Sequence, residues 1–174
     1  VSEYNGLGYS GTNSGGSLYI TSSIFRNNKG GLAPNTLDSE LLPPERETFI
    51  IGNLIENNNN YNSPATNSTY LSYGNGVVIA GGNNNIIKNN VIVDHDLYGV
   101  ILTASMDVNY WPAHGNRVEE NLILSSRKAD IAVSGVSNLA NCFEGNYFNT
   151  SIPPGLQALN GCEKNIIPLS ADLS

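Results

Sequence analysis

The chain has 174 residues, a formal net charge of −7 at pH 7 and 13% charged residues, about half the usual share for a globular protein. This length suffices for one domain with a hydrophobic core. The acidic balance, with only 8 Lys and Arg residues, excludes an electrostatic nucleic-acid site. No apolar run approaches the roughly 18 residues of a membrane-spanning helix. We therefore expect neither a nucleic-acid partner nor a membrane span.

The sequence is organised by an eight-residue unit with apolar residues at its third and eighth positions and small polar residues at its first and sixth. The five copies are Ser17-x-Tyr19-x-x-Ser22-x-Ile24, Thr48-x-Ile50-x-x-Asn53-x-Ile55, Asn85-x-Ile87-x-x-Asn90-x-Ile92, Asn116-x-Val118-x-x-Asn121-x-Ile123 and Asn141-x-Phe143-x-x-Asn146-x-Phe148. Successive copies are 31, 37, 31 and 25 residues apart. Such variation is typical of a solenoid, in which loops absorb insertions while the core keeps its register.

Each unit predicts two short strands joined by a bend, with the apolar side chains pointing inward. An Asn at the bend tolerates left-handed backbone, and its amide can bond to nearby backbone groups. Because stacked coils lie about 4.8 Å apart, we expect equivalent Asn side chains to bond along the stack as a ladder. The predicted ladder residues are Asn53, Asn90, Asn121 and Asn146.

A third strand follows in most units, and these strands are predicted at residues 31–32, 76–79, 99–102 and 130–133. Three short strands per turn without helices between them are typical of a parallel β-helix, and nearly all parallel crossovers are right-handed. The predicted fold class is therefore an all-β, right-handed parallel β-helix, or solenoid, of about five to six coils.

We interpret residues 1–174 as a single β-helix domain. Its predicted parts are a partial coil, the main coils and a C-terminal cap with a tail, at residues 1–16, 17–151 and 152–174. The first part is partial because Gly6 aligns with Gly31, so we expect further coils before residue 1, or contacts between copies at this edge. At the other end, residues 153–159 are expected to form a helical turn that closes the core.

The chain contains two cysteines, Cys142 and Cys162, both near the C-terminus. A disulfide bond between them would close a local loop and would place the protein in an oxidising, extracellular location. The alternative is a pair of buried thiols.

The repeated Asn-x-Val-x-x-Asn-x-Val pattern, with its Gly-Val and Gly-Ile strands, resembles that of secreted right-handed parallel β-helix repeat proteins of the pectate-lyase-like superfamily. Residues 30–40, residues 79–83 and the ending with Cys142 and Cys162 resemble one bacterial group of these proteins. The resemblance covers essentially the whole chain and implies the fold. It implies no single chemistry, because the superfamily includes lyases, hydrolases, epimerases, adhesins and inert scaffolds.

The triplet Asp94-His95-Asp96 is the most conspicuous cluster of titratable residues. A histidine between carboxylates can act as a general base or a metal ligand. The repeat register favours a structural role instead, because it places His95 at a bend of the ladder. The residues that it aligns with His95 are Asn27, Asn58, Ser126 and Ser151.

Two long loops, at residues 35–47 and 105–115, flank a short turn at residues 81–83. Because they are two coils apart, roughly 10 Å by the strand spacing, we expect them to form the walls of a groove for an extended polymer. Trp111 and Tyr110 offer flat apolar surfaces with polar groups, which suit sugar rings. The alternative is that the loops pack on each other, with Trp111 covering the core side and Arg46 paired with a nearby carboxylate.

The acidic residues of these loops are candidates for an acid/base pair or for Ca²⁺ binding. The candidate catalytic residues are Asp107, His114, Glu40, Asp38 and His95. The candidate substrate-binding residues are Trp111, Tyr110, Asp107 and Arg46. The candidate Ca²⁺ ligands are Asp38 and Glu40.

Two functions are compatible with these patterns. The first is a secreted module that binds an extracellular polysaccharide in the loop-lined groove, with or without processing it. The second is a structural or adhesive solenoid without catalysis, which associates with further coils or with other copies of itself. The sequence leaves enzymatic activity open.

Overall fold

The computed structural model describes residues 1–39, 41–64, 72–134 and 140–162. In these residues the chain forms short strands in close succession and one short helix. In chain order they are β1 (Ser2–Glu3), β2 (Leu7–Thr12), β3 (Gly15–Thr21), β4 (Ile24–Arg26), β5 (Gly30–Asn35), β6 (Arg46–Ile51), β7 (Leu54–Glu56), β8 (Val77–Ala80), β9 (Ile86–Lys88), β10 (Val91–Val93), β11 (Tyr98–Thr103), β12 (Ser105–Met106), β13 (Tyr110–Trp111), β14 (Arg117–Glu119), β15 (Leu122–Leu124), β16 (Ala129–Ser134), β17 (Cys142–Glu144), β18 (Tyr147–Phe148), β19 (Ser151–Ile152) and α1 (Leu156–Leu159).

Most strands belong to three parallel sheets. The first sheet has the order β1-β4-β7-β10-β15-β18, the second β2-β5-β8-β11-β16-β19 and the third β3-β6-β9-β14-β17. Neighbouring strands in each sheet come from successive coils, while β12 and β13 form a separate antiparallel pair. The predicted fold class, an all-β parallel β-helix, is therefore confirmed.

The inward-facing side chains of the three sheets form one hydrophobic core. In the first sheet, Ile55 is in register with Ile92, which is in register with Ile123, and all three are fully buried. Burying such a side chain contributes about 2 kcal/mol. The other two sheets add the fully buried residues Leu32, Ile50, Ile79, Ile87, Leu102, Ile131 and Phe143. This core explains why apolar residues recur at fixed positions of the repeat.

Each corner of a coil combines a residue of positive φ with a buried polar residue that follows it. At the corner between the third and first sheets, the positive-φ residues are Ser22, Gly52, Asn89, Glu120 and Gly145. The ladder residues come directly after the last four of these and do not have positive φ themselves. The expectation that the ladder Asn adopts the left-handed conformation is therefore wrong by one position. The preceding residue makes the bend, which turns the Asn amide towards the next coil.

The predicted Asn ladder is confirmed at this corner. Asn90 Oδ1 accepts hydrogen bonds from the backbone N–H and the side-chain amide of Asn53, at 2.9 and 3.0 Å. The same pair of bonds joins Asn90 to Asn121, and Asn121 to Asn146. Each buried amide left without a partner would cost about 1–3 kcal/mol, so the ladder holds the coils in one register.

A second ladder lies at the corner between the second and third sheets. Its rungs are Thr48, Asn85, Asn116 and Asn141. At its N-terminal end the buried carboxylate of Glu45 accepts hydrogen bonds from the Thr48 hydroxyl at 2.6 Å and from the Asn85 amide at 2.8 Å. Burial raises the pKa of Glu45 above its usual value, while these two donors lower it.

The first repeat unit is displaced by one residue from its predicted register. Strand β3 contains an irregularity between Gly15 and Leu18, after which Leu18 pairs with Thr48 and Tyr19 with Phe49. The inward residue is therefore Ile20, whereas Tyr19 is 62% exposed. The predicted unit starting at Ser17 is wrong because one extra residue moves every side chain to the opposite face of the strand.

The C-terminal end of the solenoid is closed. Helix α1 lies in the segment expected to form a helical turn, and its Leu156 is fully buried under the core. Gln157 Oε1 accepts the last ladder bonds from Asn146, at 2.9 Å. A disulfide bond joins Cys142 to Cys162, as predicted. The tail, residues 163–174, lies outside the described residues.

Candidate functional site

The two long loops meet in a cluster around the Asp38 carboxylate. Asp38 accepts hydrogen bonds from the backbone N–H of Asn109 at 2.7 Å, from the Asn109 amide at 2.6 Å and from Trp111 Nε1 at 3.2 Å. In the reverse direction, the backbone N–H of Asp38 donates to the Asp107 carboxylate at 3.0 Å. The loops therefore pack on each other across the intervening coil.

This contact removes the gap expected between the loops. Residues Ser105–Met106 and Tyr110–Trp111 form an antiparallel hairpin, which lies over the short turn of the preceding coil. A Cβ atom placed on Gly81 would lie 2.9 Å from the Cβ atoms of both Ser105 and Trp111. The low floor predicted at residues 81–83 is thus covered, and the geometry of a groove between two separate loops is corrected to that of one continuous wall.

The hydrogen bonds to Asp38 lower the pKa of its carboxyl, and those from Asn109 are the largest cause. Both of its oxygens already accept hydrogen bonds from the hairpin. Among the described residues, the one group of three potential ligands is Glu119, Cys142 and Cys162, and the two sulfur atoms are joined in the disulfide. The second predicted Ca²⁺ ligand, Glu40, lies outside the described residues.

The remaining described candidates are Arg46, His114 and Tyr110, of which the first two are in register with Asn83 on either side. The Arg46 guanidinium donates to the backbone carbonyls of Leu42 and Pro44 and forms no ion pair among the described residues. His114 is exposed, and its backbone bonds to the neighbouring corner through Gly82 and Asn84. Tyr110 is 42% exposed on the hairpin. The His114 side chain therefore forms no hydrogen-bonded carboxylate–histidine pair with Asp38 or Asp107.

His95 occupies a rung of a third ladder, at the corner between the first and second sheets. Its Nε2 lies 3.4 Å from the side-chain nitrogen of Asn58, and Asn58 in turn accepts from Asn28. The aligned residue of the first coil is therefore Asn28, not the predicted Asn27. Burial lowers the pKa of His95 from 6.5 to about 3, and only 1% of the residue is exposed. The ring is thus neutral and out of reach of a substrate.

A groove of about 590 Å³ runs across the outer face of the second sheet. Its floor consists of outward-facing side chains from β2, β5, β8 and β11, which neighbour each other in the sheet. The apolar part of this floor is formed by Ala33, Val78 and Ile101. Because adjacent strands come from successive coils, the groove extends along the axis of the solenoid.

One wall of the groove belongs to the loop cluster described above. It includes Leu37, which directly precedes Asp38, and the hairpin residues Ser105 and Met106. Ser105 Oγ donates to the carbonyl of Thr36 at 2.7 Å, which fixes the hairpin to the coil-one loop. The contact between the loops therefore builds one continuous wall of this groove.

The opposite wall is formed by the turns that precede β8 and β11. Tyr98, the first residue of β11, adjoins these turns, and its backbone N–H donates to the side chain of Asn75 at 3.2 Å. The ammonium group of Lys128 lies 5.6 Å from the centre of the Tyr98 ring, a cation–π contact. Leu97 and Ser72 complete the described part of this wall.

None of the described residues that line the groove carries a formal charge. The polar groups available to a ligand there are hydroxyls and amides, and the acid/base chemistry of paired carboxylates is absent from this described lining. The groove residues Tyr98, Asn75 and Ile101 were missed in the sequence. The available signal was the apolar side chains at outward positions of the third strand, which period-2 alternation would assign to the solvent face.

No protein-family model matches the sequence, and no curated protein matches it either. Among the described residues, no helix is long and apolar enough to cross a membrane.

Proposed function

We propose that this protein is an extracellular β-helix module that binds a polysaccharide in the groove across the outer face of its second sheet. The observation that carries the proposal is the groove itself, with its apolar floor and its rim of uncharged hydroxyl and amide groups. Ligand sites in proteins combine apolar lining with a few polar groups that orient the ligand. A sugar chain matches this combination, because its rings have apolar C–H faces and hydroxyl edges.

The proposal is for binding without processing. Glycoside hydrolysis generally uses two carboxyl groups on either side of the scissile bond, and no carboxylate is present in the described lining of the groove. Asp38, which directly follows the lining residue Leu37, is held by Asn109 and Trp111 as part of the wall. The Cys142–Cys162 disulfide supports an oxidising, extracellular location.

Glycan-array screening followed by titration calorimetry tests the proposal. A Thr103→Trp variant places a large ring in the groove from an outward-facing floor position. Leu122→Trp is the matched control, because Leu122 is 37% exposed on the outer face of the first sheet. We expect the wild-type protein to bind at least one glycan, Thr103→Trp to weaken binding more than about tenfold, and Leu122→Trp to leave it unchanged. Absence of glycan binding, or equal binding by Thr103→Trp, would overturn the proposal.

A second candidate function is a structural solenoid that associates through its N-terminal coil. The observation that favours it is the difference between the two ends. Strands β1, β2 and β3 are each at the edge of their sheet, whereas α1 closes the other end. Edge strands present backbone groups that can pair with another chain. Sedimentation over a hundredfold concentration range tests it, since a protein that stays monomeric throughout contradicts self-association.

A further inference from the structure

We propose that the groove selects an extended neutral glycan that lies along the solenoid axis, and that it rejects polymers of uronic acids. This inference rests on the proposed polysaccharide-binding function and concerns the charge and orientation of the ligand. It follows from the arrangement of side chains on the groove floor, from the charges around the groove, and from the spacing of the strands.

The floor consists of two parallel columns of outward-facing side chains, one residue per strand in each. The strand register aligns Ser10 with Ala33, Val78 and Ile101 in the first column. It aligns Thr12 with Asn35, Ala80 and Thr103 in the second column. The first column is mainly apolar and the second mainly polar. A ligand that fits both columns needs an apolar face beside a row of hydroxyl groups, running in the direction of the axis.

The distance between successive residues of each column matches the distance between successive rings of a polysaccharide. Successive strands lie about 4.8 Å apart, a distance comparable to the length of one pyranose unit in an extended chain. Each unit can therefore meet the same pair of positions on successive strands. Because the floor spans the four strands β2, β5, β8 and β11, the groove accommodates a chain of about three to four sugar units.

The charges around the groove disfavour an anionic ligand. The lining offers hydroxyl and amide groups to a carboxylate but no cation among the described residues, and burying an unpaired carboxylate is costly. The wall that carries Leu37 and Met106 also holds the carboxylates of Asp38 and Asp107. The ammonium group of Lys128, beside the lining, lies over the Tyr98 ring. The net charge of −7 adds a long-range repulsion.

Calorimetric titration with two matched series of oligosaccharides tests this inference. One series is neutral (cello-oligosaccharides of two to six units) and the other anionic (oligogalacturonates of the same lengths). We expect the neutral series to bind, with an affinity that rises up to about four units and then stays constant. We expect the oligogalacturonates to bind at least tenfold more weakly, with or without Ca²⁺.

A charge-introducing variant sharpens the test. Ala80→Lys places a cation in the polar column, between Asn35 and Thr103, and is expected to raise the affinity for oligogalacturonate at least fivefold. Val91→Lys is the matched control, since Val91 is 39% exposed on the outer face of the first sheet. Equal or tighter binding of the anionic series by the wild-type protein, or an equal effect of both lysines, would overturn the inference alone. Failure of both series and of the glycan array would overturn the polysaccharide proposal itself.

Discussion

The side-chain nitrogen of Asn58 lies 3.4 Å from Nε2 of His95, one coil further along the third ladder. The Asn58 carbonyl oxygen already accepts from Asn28, so Asn58 presents an N–H group to the histidine and Nε2 must accept it. The neutral ring then carries its proton on Nδ1, an atom that is buried without a hydrogen-bond partner. A proton added to Nε2 would face an N–H group of Asn58, so the ladder can hold only the neutral ring.

Acid should therefore destabilise the fold through His95. Its pKa is lowered from 6.5 to about 3 by burial, partly opposed by the nearby Asp96. Because the folded-state pKa is below the unfolded one, the unfolded chain binds more protons between these values, and stability falls as the pH decreases from about 6.5 towards 3. At pH 4.5 this loss amounts to about 2–3 kcal/mol. Urea unfolding of the wild type between pH 7 and pH 4 measures it.

A His95→Asn variant is the control for this prediction, because Asn can replace His95 as a rung between Asn58 and Ser126. The variant should be at least as stable as the wild type at pH 7 and should lose less stability at pH 4.5. Parallel pH dependences of the two proteins would contradict a role for His95. Titratable groups that do not interact with His95 cancel in the difference between the two proteins.

Glu45 should destabilise the fold as the pH rises, which is the opposite of the effect of His95. Burial raises the pKa of its carboxyl in the folded state, so its contribution to stability is complete below the usual carboxyl pKa and is lost as the pH rises through the folded-state value. A Glu45→Gln variant can retain bonds to Thr48 and Asn85 without the buried charge. We expect its unfolding free energy, relative to wild type, to improve from pH 4 to pH 8.

Glu45→Ala separates the charge from the hydrogen bonds. It removes the acceptor for the Thr48 hydroxyl and the Asn85 amide, two buried donors whose loss of a partner should make Glu45→Ala less stable than Glu45→Gln by about 2–3 kcal/mol at every pH. Chemical denaturation of both variants in parallel gives the comparison. Equal stability of the Gln and Ala variants would show that Glu45 does not terminate the ladder as described.

Asp38 should hold the wall of the groove. Removing its carboxylate by Asp38→Ala takes away the acceptor for Asn109 and Trp111, so the hairpin should separate more readily from the coil-one loop. We expect faster hydrogen exchange at the Asn109 amide and a red shift of the Trp111 fluorescence. Because the pKa of Asp38 is lowered in the folded state, the wild-type contact should persist at neutral pH and be lost as the pH falls through that lowered value.

Met106→Ala is the matched control, since Met106 is a 71% exposed residue of the same hairpin with no side-chain bond to Asp38. It should leave the exchange rate at Asn109 within about twofold of wild type. An Asp38→Ala protein with wild-type exchange and fluorescence would mean that the wall is held by other contacts.

The disulfide should stabilise the C-terminal cap. Cys142 and Cys162 are 20 residues apart in the sequence, and closing a loop of this length should contribute about 3 kcal/mol. The double variant Cys142→Ala/Cys162→Ala is expected to lose this amount in urea unfolding and to show increased hydrogen exchange around Leu156. A reductant should lower the stability of the wild type but not that of the double variant. Unchanged stability of the double variant would contradict the prediction.

The fold was predictable because each structural feature of the coil requires a particular type of residue at a fixed position in the repeat. Inward positions must be apolar and ladder positions must carry a short amide, so residues such as Ile92 and Asn90 recur at fixed separations. The prediction of register was wrong where two neighbouring residues could both satisfy the pattern. The irregularity in β3 moved the first unit by one residue, since Tyr19 and Ile20 are both apolar enough to fill the inward position.

The candidate site was predictable only in part. Asp38, Asp107 and Trp111 do come together, as their positions on long loops two coils apart suggested, but they bind each other and close the expected gap. The hydrogen-bond partners of side chains on loops depend on tertiary contacts between residues far apart in the sequence. Asp38 and Trp111 are 73 residues apart. No local pattern encodes such a pairing.

By itself, the sequence determined the class of fold and the ladder from Asn53 to Asn146, because a repeating coil imposes the same requirement on every turn. Only the tertiary structure decided that Glu45 terminates a second ladder and that the long loops form one wall beside a groove whose described lining is uncharged. These features depend on which residues of different coils stack and on which loops make contact. Both are set by the three-dimensional register of the solenoid.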